Sequence, residues 1–294
     1  MRRSLNSRWY FLFVFPLFFI FTTVVLVPFC LGIGYSFVTW DGLPLNPKTI
    51  TGINNYISLI NDERFLSSAI HTLKFTLLTI ITINILALIF ALFVTGNINT
   101  RVRNAARTML FMPYLIGGLI LGYIWKFILG DAFKSIGETT GLTSVFFNWL
   151  LDPDFAVLAM VVVTTWQMAG YVMIIYITGI QTIPEEVIEA AEVDGAGFWI
   201  KLFKIKFPLI MQSFTVCLFL TMSNCFKIFD VNLSLTGGGP YNSSEMFALN
   251  IYNEIFSLNN YGYGQAKALF FFIAVACFTL AQVVFTKKRE VEMQ

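Results

Sequence analysis

The chain has 294 residues, of which 57% are hydrophobic and 12% charged, with 32 phenylalanines, a net charge of +2 and a mean hydropathy of +0.73. Soluble domains carry about 25% charged residues, and no polar outer face exists here to solvate so many aromatic rings, so a soluble helical fold is excluded. The small net charge, without a basic stripe interleaved with aromatics, also excludes a nucleic-acid binder.

Six membrane spans are predicted in chain order, each close to or above the ~20 apolar residues that cross a bilayer core. Arg2, Arg3 and Arg8 precede the first, over 10–37. That run is too long for a signal-peptide core and lacks a small-residue cleavage site, so it reads as an uncleaved helix. The second span covers 73–94, after a polar segment over 38–72 that holds the only histidine, His71. With no cysteine or carboxylate cluster beside it, His71 reads as a packed or interfacial residue. Span three runs over 109–129 and contains Pro113, Tyr114 and three glycines, Gly117, Gly118 and Gly122. These glycines fit either a moving helix contact or ordinary tight packing, and Lys126 near the outer end reads as snorkelling to the interface.

Span four is predicted over 155–180, span five over 207–229 and span six over 267–285. Cys30, Cys217, Cys225 and Cys277 all fall within hydrophobic runs and read as small apolar fillers, not as a disulfide framework. The segments at 130–154 and 230–266 are rich in Asn, Gly, Pro and aromatics and read as ordered. No repeat period or low-complexity linker divides the chain, so residues 1–294 are read as a single transmembrane domain.

Orientation follows from the basic residues. With the N-terminus inside, the four inner segments hold Arg2, Arg3 and Arg8, then Arg101, Arg103 and Arg107, then Lys201, Lys204 and Lys206, and finally Lys287, Lys288 and Arg289, which is twelve of the 19 basic residues. The positive-inside rule places both termini in the cytoplasm, and with them the loop over 181–208.

That loop contains the stretch EAAEVDGAGFWIKLFKIKFP at 189–208, with three acids and three lysines between two apolar spans. It is predicted to form two short helices with a bend. Pro184 suits the first helical position, and Glu185 and Glu186 suit the positive end of a helix dipole. Val187, Ala190, Ala191 and Asp194 share one side, and Asp194-Gly195 is turn chemistry that ends the helix. In the second helix Phe198, Leu202, Ile205 and Leu209 form an apolar stripe opposite Lys201 and Lys204, and Pro208 fits the start of span five. An amphipathic hairpin lying passively at the interface and a docking element for a partner both satisfy this pattern.

The string Glu189-Ala190-Ala191, followed by Gly195, Ile205 and Pro208, resembles the EAA loop of ABC importer permeases. The wider match, PEEVIEAAEVDGA and then FKIKFP, is similar to the carbohydrate-uptake branch, which includes the maltose-type, multiple-sugar and UgpA-like permeases; Phe207 replaces the usual leucine. Further similarity lies in TGINNYISLINDERF, LTGGGPYNSSE and NEIFSLNNYGYGQAKAL, so the resemblance runs along almost the whole chain. It implies an all-α, six-span type I importer transmembrane domain. It also implies that Glu189, Ala190, Ala191, Asp194, Gly195, Ile205 and Pro208 engage an ATPase subunit.

Polar residues recur on one side of two spans: Thr164, Gln167 and Tyr171 in span four, and Thr221, Asn224 and Cys225 in span five. In hydrocarbon such groups must face a partner helix or a wet cavity, and both arrangements stay open on spacing alone. Trp166, Tyr171 and Tyr114 would offer aromatic faces to sugar C–H surfaces. The resemblance implies sugar contacts at Thr164 and Gln167, at Thr221 and Cys225, and at Pro113-Tyr114. Cys225 and Ile228 stand where the maltose permeases have asparagines, and Asn224 and Lys227 lie near enough to substitute.

No GxxxxGK[ST] loop occurs, so ATP and magnesium are expected on partner ATPase subunits, with no cofactor or metal in this chain. The expected partners are a second permease subunit, two ATPase subunits, an extracytoplasmic solute-binding protein, a sugar and membrane lipid, with no nucleic acid. A membrane-embedded enzyme would need paired acids or a metal cluster in the spans, which hold almost no carboxylates. A secondary transporter usually shows intramembrane ionisable groups or broken helices, and that reading would leave the family loop unexplained. The expected cargo is an oligosaccharide such as raffinose. The alternative is glycerol 3-phosphate, whose phosphate would call for intramembrane arginine or paired lysine. The many Phe, Ile and Asn residues point to the cytoplasmic membrane of a Gram-positive bacterium.

Overall fold

A computed structural model describes residues 7–43 and 45–288; Arg2, Arg3 and Arg289 lie outside them. The main helices are α1 (Phe11–Tyr35), α2 (Glu63–Thr95), α3 (Thr100–Leu115), α4 (Gly118–Thr140), α5 (Pro153–Gln181), α6 (Glu185–Val193), α7 (Phe198–Leu209), α8 (Met211–Phe226) and α9 (Tyr261–Lys287). Two short strands, β1 (Val38–Thr39) and β2 (Thr49–Ile50), pair antiparallel with Val38 opposite Ile50. Among the described residues α1, α2, α5 and α9 are each long and apolar enough to cross a bilayer. Counting each of the bent pairs α3–α4 and α7–α8 as one span gives six.

The bends correct the reading of spans three and five as continuous helices. The axis turns by 97° between α3 and α4. Pro113 removes an amide donor, and the backbone at Ile116 and Gly117 is extended instead of helical. The axis turns by 72° between α7 and α8. There a π turn at Lys201–Lys206 and Pro208 precede Ile210, the non-helical hinge residue. A broken segment in a membrane is tolerated only where protein or a polar cavity satisfies its freed backbone groups.

The chain divides into two compact units. The first joins residues up to Glu63 with 251–273. Its main polar feature is a buried lysine, Lys267, held by Asp62 at 2.8 Å and Glu254 at 2.7 Å. Tyr263 donates to the same Asp62 oxygen at 2.9 Å, and the Asn260 amide donates to Glu254 at 2.7 Å. Trp40 packs on Tyr261, and Phe29 on Phe272. Gly262 is required here, because a Cβ would lie 1.8 Å from the Val38 carbonyl oxygen.

The second unit, 64–250 with 274–294, is centred on α5, the most buried of the long spans. A buried polar chain ties three of its helices together. The Tyr176 hydroxyl donates to Asn84 Oδ1 at 2.7 Å, and the Asn84 amide donates to Thr221 Oγ1 at 3.3 Å. Thr221 in turn donates to the Cys217 carbonyl at 2.7 Å. Near the other end of α2, Arg64 grips buried Glu245 through two bonds, Nε to Oε2 at 2.8 Å and Nη2 to Oε1 at 2.7 Å. Asn232 pins the turn over 236–245 by donating to the Ser244 carbonyl and accepting from the Met246 amide.

Removing one partner of a buried ion pair leaves an uncompensated charge and costs about 3–5 kcal/mol. Lys267→Met removes the lysine that Asp62 and Glu254 share. The expected outcome is a cost in that range, read as a clear drop in melting temperature of the detergent-solubilised protein. A melting temperature equal to the parent would show that the cluster does not hold the first unit together.

Candidate functional site

Two places in the second unit gather the residues singled out by sequence. The first is a cavity of about 310 Å³ bordered by Tyr114, Thr164, Gln167, Asn224, Lys227 and Asp230, among others. Its construction follows from the α3–α4 break. Opening the helix frees the Ile116 carbonyl, and the Gln167 side chain caps it at 2.8 Å. Tyr114 sits in the last turn before the break and stacks face to face on Tyr171, with centroids 4.3 Å apart and planes 9° apart. Thr164 is buried, and its hydroxyl has no hydrogen-bond partner among the described residues. An unmatched buried hydroxyl costs about 1–3 kcal/mol.

The predicted pathway residues therefore separate into two groups. Tyr114, Thr164, Gln167 and Asn224 border the cavity, and Tyr171 backs it through the ring stack. Thr221 and Cys225 do not. Both are fully buried; Thr221 belongs to the Asn84–Tyr176 polar chain and Cys225 to the hydrophobic core. Trp166 is half exposed and packs edge-on against Trp125. Asp230 lines the cavity but was not singled out by sequence; its approach to Gly118 is so close that a Cβ there would meet Asp230 Cβ at 2.8 Å. The small residue at 118, in a run otherwise apolar, was the available signal.

The second place is the exposed loop between α5 and α8. Here α6 ends in a Schellman motif: the Ala196 amide donates to the Ala191 carbonyl at 2.9 Å, and the Gly195 amide to the Glu192 carbonyl at 3.0 Å. Gly195 supplies the left-handed conformation this requires, with φ of +75°. Pro184 precedes the helix as its N-cap residue, one place earlier than the predicted first helical position. Ala191 and Leu202 are buried and anchor the loop, whereas Glu189, Ala190, Asp194 and Gly195 are exposed. Ile205 and Pro208 are half-buried. The predicted stripe Phe198–Leu202–Ile205–Leu209 is not uniformly inward, because the π turn changes the residue period and leaves Phe198 exposed.

Lys201 bridges the two arms of the loop by an ion pair to Glu192 at 2.7 Å. The hydrogen bond from Lys201, and then its charge, hold the Glu192 carboxyl below the usual carboxylate range. A lowered carboxyl pKa means that the contact is intact above the ordinary value and lost as pH falls through the lowered one.

A family model described as binding-protein-dependent transport system inner membrane component matches residues 83–291. The probable starch degradation products transport system permease protein AmyD of Thermoanaerobacterium thermosulfurigenes is 45% identical over 288 residues, covering 98% of this chain and 97% of that protein. The multiple sugar-binding transport system permease protein MsmF of Streptococcus mutans is 31% identical, with 99% of each chain covered. Among solved structures, a bacterial ABC transporter involved in import of the acidic polysaccharide alginate shares the fold at a TM-score of 0.81, with 19% identity and 96% of each chain covered.

The cavity depends on the close crossing of α3 and α5. A Cβ at Gly170 would lie 1.8 Å from the Leu110 carbonyl oxygen, a backbone atom that cannot swing aside. Gly170→Ala is expected to cost about 2–3 kcal/mol through overpacking and to part the Tyr114–Tyr171 stack. The measurement is the melting temperature together with the near-ultraviolet aromatic signal, and parental values for both would refute the assignment.

Proposed function

The chain belongs to the family of binding-protein-dependent transport system inner membrane components, and from that premise we propose that it is the permease subunit of an ATP-driven carbohydrate importer with an oligosaccharide as cargo. The observation that carries the coupling half of this reading is the exposed, Gly195-capped helix α6, presented between the two helices α5 and α8 that contribute to the cavity. ATP and magnesium belong to two partner ATPase subunits. One of them receives the Glu189–Gly195 turn, and the other engages a second permease subunit. A solute-binding protein delivers the sugar from outside. The loop lies in the cytoplasm together with both termini, as the distribution of basic residues supports, and the spans lie in the cytoplasmic membrane of a Gram-positive bacterium.

The carbohydrate reading is supported by the names of the relatives, starch degradation products for one and multiple sugars for the other. It is also supported by the cavity itself. A stacked tyrosine pair, an amide and an unmatched hydroxyl suit a neutral, hydroxyl-rich guest. Glycerol 3-phosphate fits less well, because Lys227 shares the cavity lining with Asp230 and the two charges offset each other. Starch-derived oligosaccharides join raffinose within the proposed cargo class.

Two substitutions test the coupling. Glu189 is exposed, so Glu189→Lys alters the docking surface without disturbing the fold. Gly195→Pro forces φ from +75° to about −65° and dissolves the helix cap. In the complex reconstituted with its partner subunits, both variants are expected to lower ATP-dependent uptake at least ~10-fold, a loss of about 1.4 kcal/mol in coupling. Uptake at parental rates in both would remove the coupling role. Stimulation of ATP hydrolysis by glycerol 3-phosphate, and not by maltooligosaccharides or raffinose, would overturn the cargo class.

A further inference from the structure

A second cavity, of about 410 Å³, lies at the ends of α2 and α5 and is distinct from the one bordered by Tyr114 and Thr164. Its lining includes Arg103, Arg107 and Lys206, against a single carboxylate, Glu185, which leaves an excess of two positive charges; Thr95 and Gln181 add neutral polar groups. The two arginines are incompletely used. Arg103 gives one Nη2 bond to the Gly96 carbonyl at 3.3 Å, but the Nε atoms of both Arg103 and Arg107 are buried with no hydrogen-bond partner among the described residues. A guanidinium carries five donors in a planar fork suited to phosphate oxygens, so two half-buried guanidiniums, each with an unmatched Nε donor, suit an anion with several oxygens in this cationic recess.

A neighbouring feature indicates where that anion comes from. A smaller recess of about 110 Å³ shares Ile188 and Lys206 with this cavity and reaches Phe198 and Lys201. Along the same helix Phe198, Trp199 and Phe203 are exposed and packed on one another, with centroid distances of 5.2 Å and 5.9 Å. Exposed aromatic rings interleaved with lysines beside a membrane span are the chemistry of the lipid headgroup level. Basic pockets between spans on that side accept anionic headgroups.

We infer that the pocket of Arg103, Arg107 and Lys206 seats the phosphate of an anionic phospholipid, with Phe198, Trp199 and Phe203 resting in the same leaflet's interface. The lipid would sit against the base of α6 and α7, where it would brace the loop assigned above to coupling. That bracing role rests on the proposed function, but the binding itself does not.

The test uses the full chain in detergent micelles, titrated with phosphatidylglycerol or phosphatidylcholine, with retained lipid counted by native mass spectrometry. The parent is expected to retain phosphatidylglycerol at least ~5-fold over phosphatidylcholine, since each cation near an anionic headgroup contributes about a factor of five. Arg103→Gln with Arg107→Gln is expected to remove most of that preference. Should the double variant fold poorly, Lys206→Gln, which leaves the arginines in place, is expected to reduce it several-fold. Equal retention of the two lipids by the parent would overturn the inference, as would unchanged preference in Lys206→Gln. Displacement of the lipid by millimolar inorganic phosphate would assign the pocket to a free anion, and loss of the lipid when the ATPase subunit binds would assign it to a protein interface. Either result refutes a lipid seat. ATP and solute are absent from this measurement, so its failure leaves the coupling reading standing.

Discussion

A buried charge or polar group must find its complement within the protein, and this constraint organises the structure. It is clearest in the segment INDERF at 60–65. Asp62 completes the Lys267–Glu254 cluster of the first unit, and two residues later Arg64 forms the bidentate pair with Glu245 in the second. The partners come from NEIFSLNNYGYGQAKAL and LTGGGPYNSSE, distant stretches that carried the family resemblance together with this one. The motifs therefore share a physical reason: each supplies one side of an ion pair that is stabilising only when the other side is present. A single truncated partner is costly, whereas the intact pair is close to neutral relative to a greasy substitute. Such pairs thus fix which segments meet more than they add stability.

The same constraint sorts the polar residues of the spans. Thr221 and Thr164 look alike in sequence, each a threonine on a polar-marked side of a hydrophobic helix. Thr221 is absorbed by Asn84 and the Cys217 carbonyl, whereas the Thr164 hydroxyl, beside a cavity, has no hydrogen-bond partner among the described residues. The difference lies with Asn84 on α2, outside any window that reads span five alone. The existence and order of the spans, the two-helix loop and its glycine turn were legible, because apolar length and the Asp194-Gly195 pair are local signals. The 97° break was less so. Pro113 and the glycines were visible, but whether a helix breaks there depends on a group elsewhere that takes up the freed carbonyl, and that group is Gln167. At span five, Pro208 was visible as a helix start; its π-turn neighbour, which rotates the preceding stripe and moves the hinge to Ile210, has no local signature.

In the proposed importer, these breaks would let the loop act on a cavity further along the spans. Helix α5 carries Thr164 and Gln167 on the cavity and ends at Gln181, where the loop begins. At 1.5 Å per residue, Thr164 stands roughly 25 Å along the helix from that end. Helix α8 begins just beyond the loop at Ile210 and runs to Phe226, so its far end delivers Asn224 and then Lys227 to the same cavity. The loop is thus joined by continuous helix to two walls of the cavity, on one side directly and on the other through the 72° hinge. A straight, hydrogen-bonded helix transmits a displacement of its end with little loss, whereas a hinge converts displacement into rotation. A pull on α6 would therefore shift the Thr164–Gln167 wall and swing the Asn224 wall by different motions. Because Gln167 also holds the Ile116 carbonyl at the α3–α4 break, the shift would pull on the support beneath Tyr114. In the proposed importer, one push at the loop would change the spacing between the tyrosine stack and the amide that face the sugar, and no separate trigger inside the membrane is required.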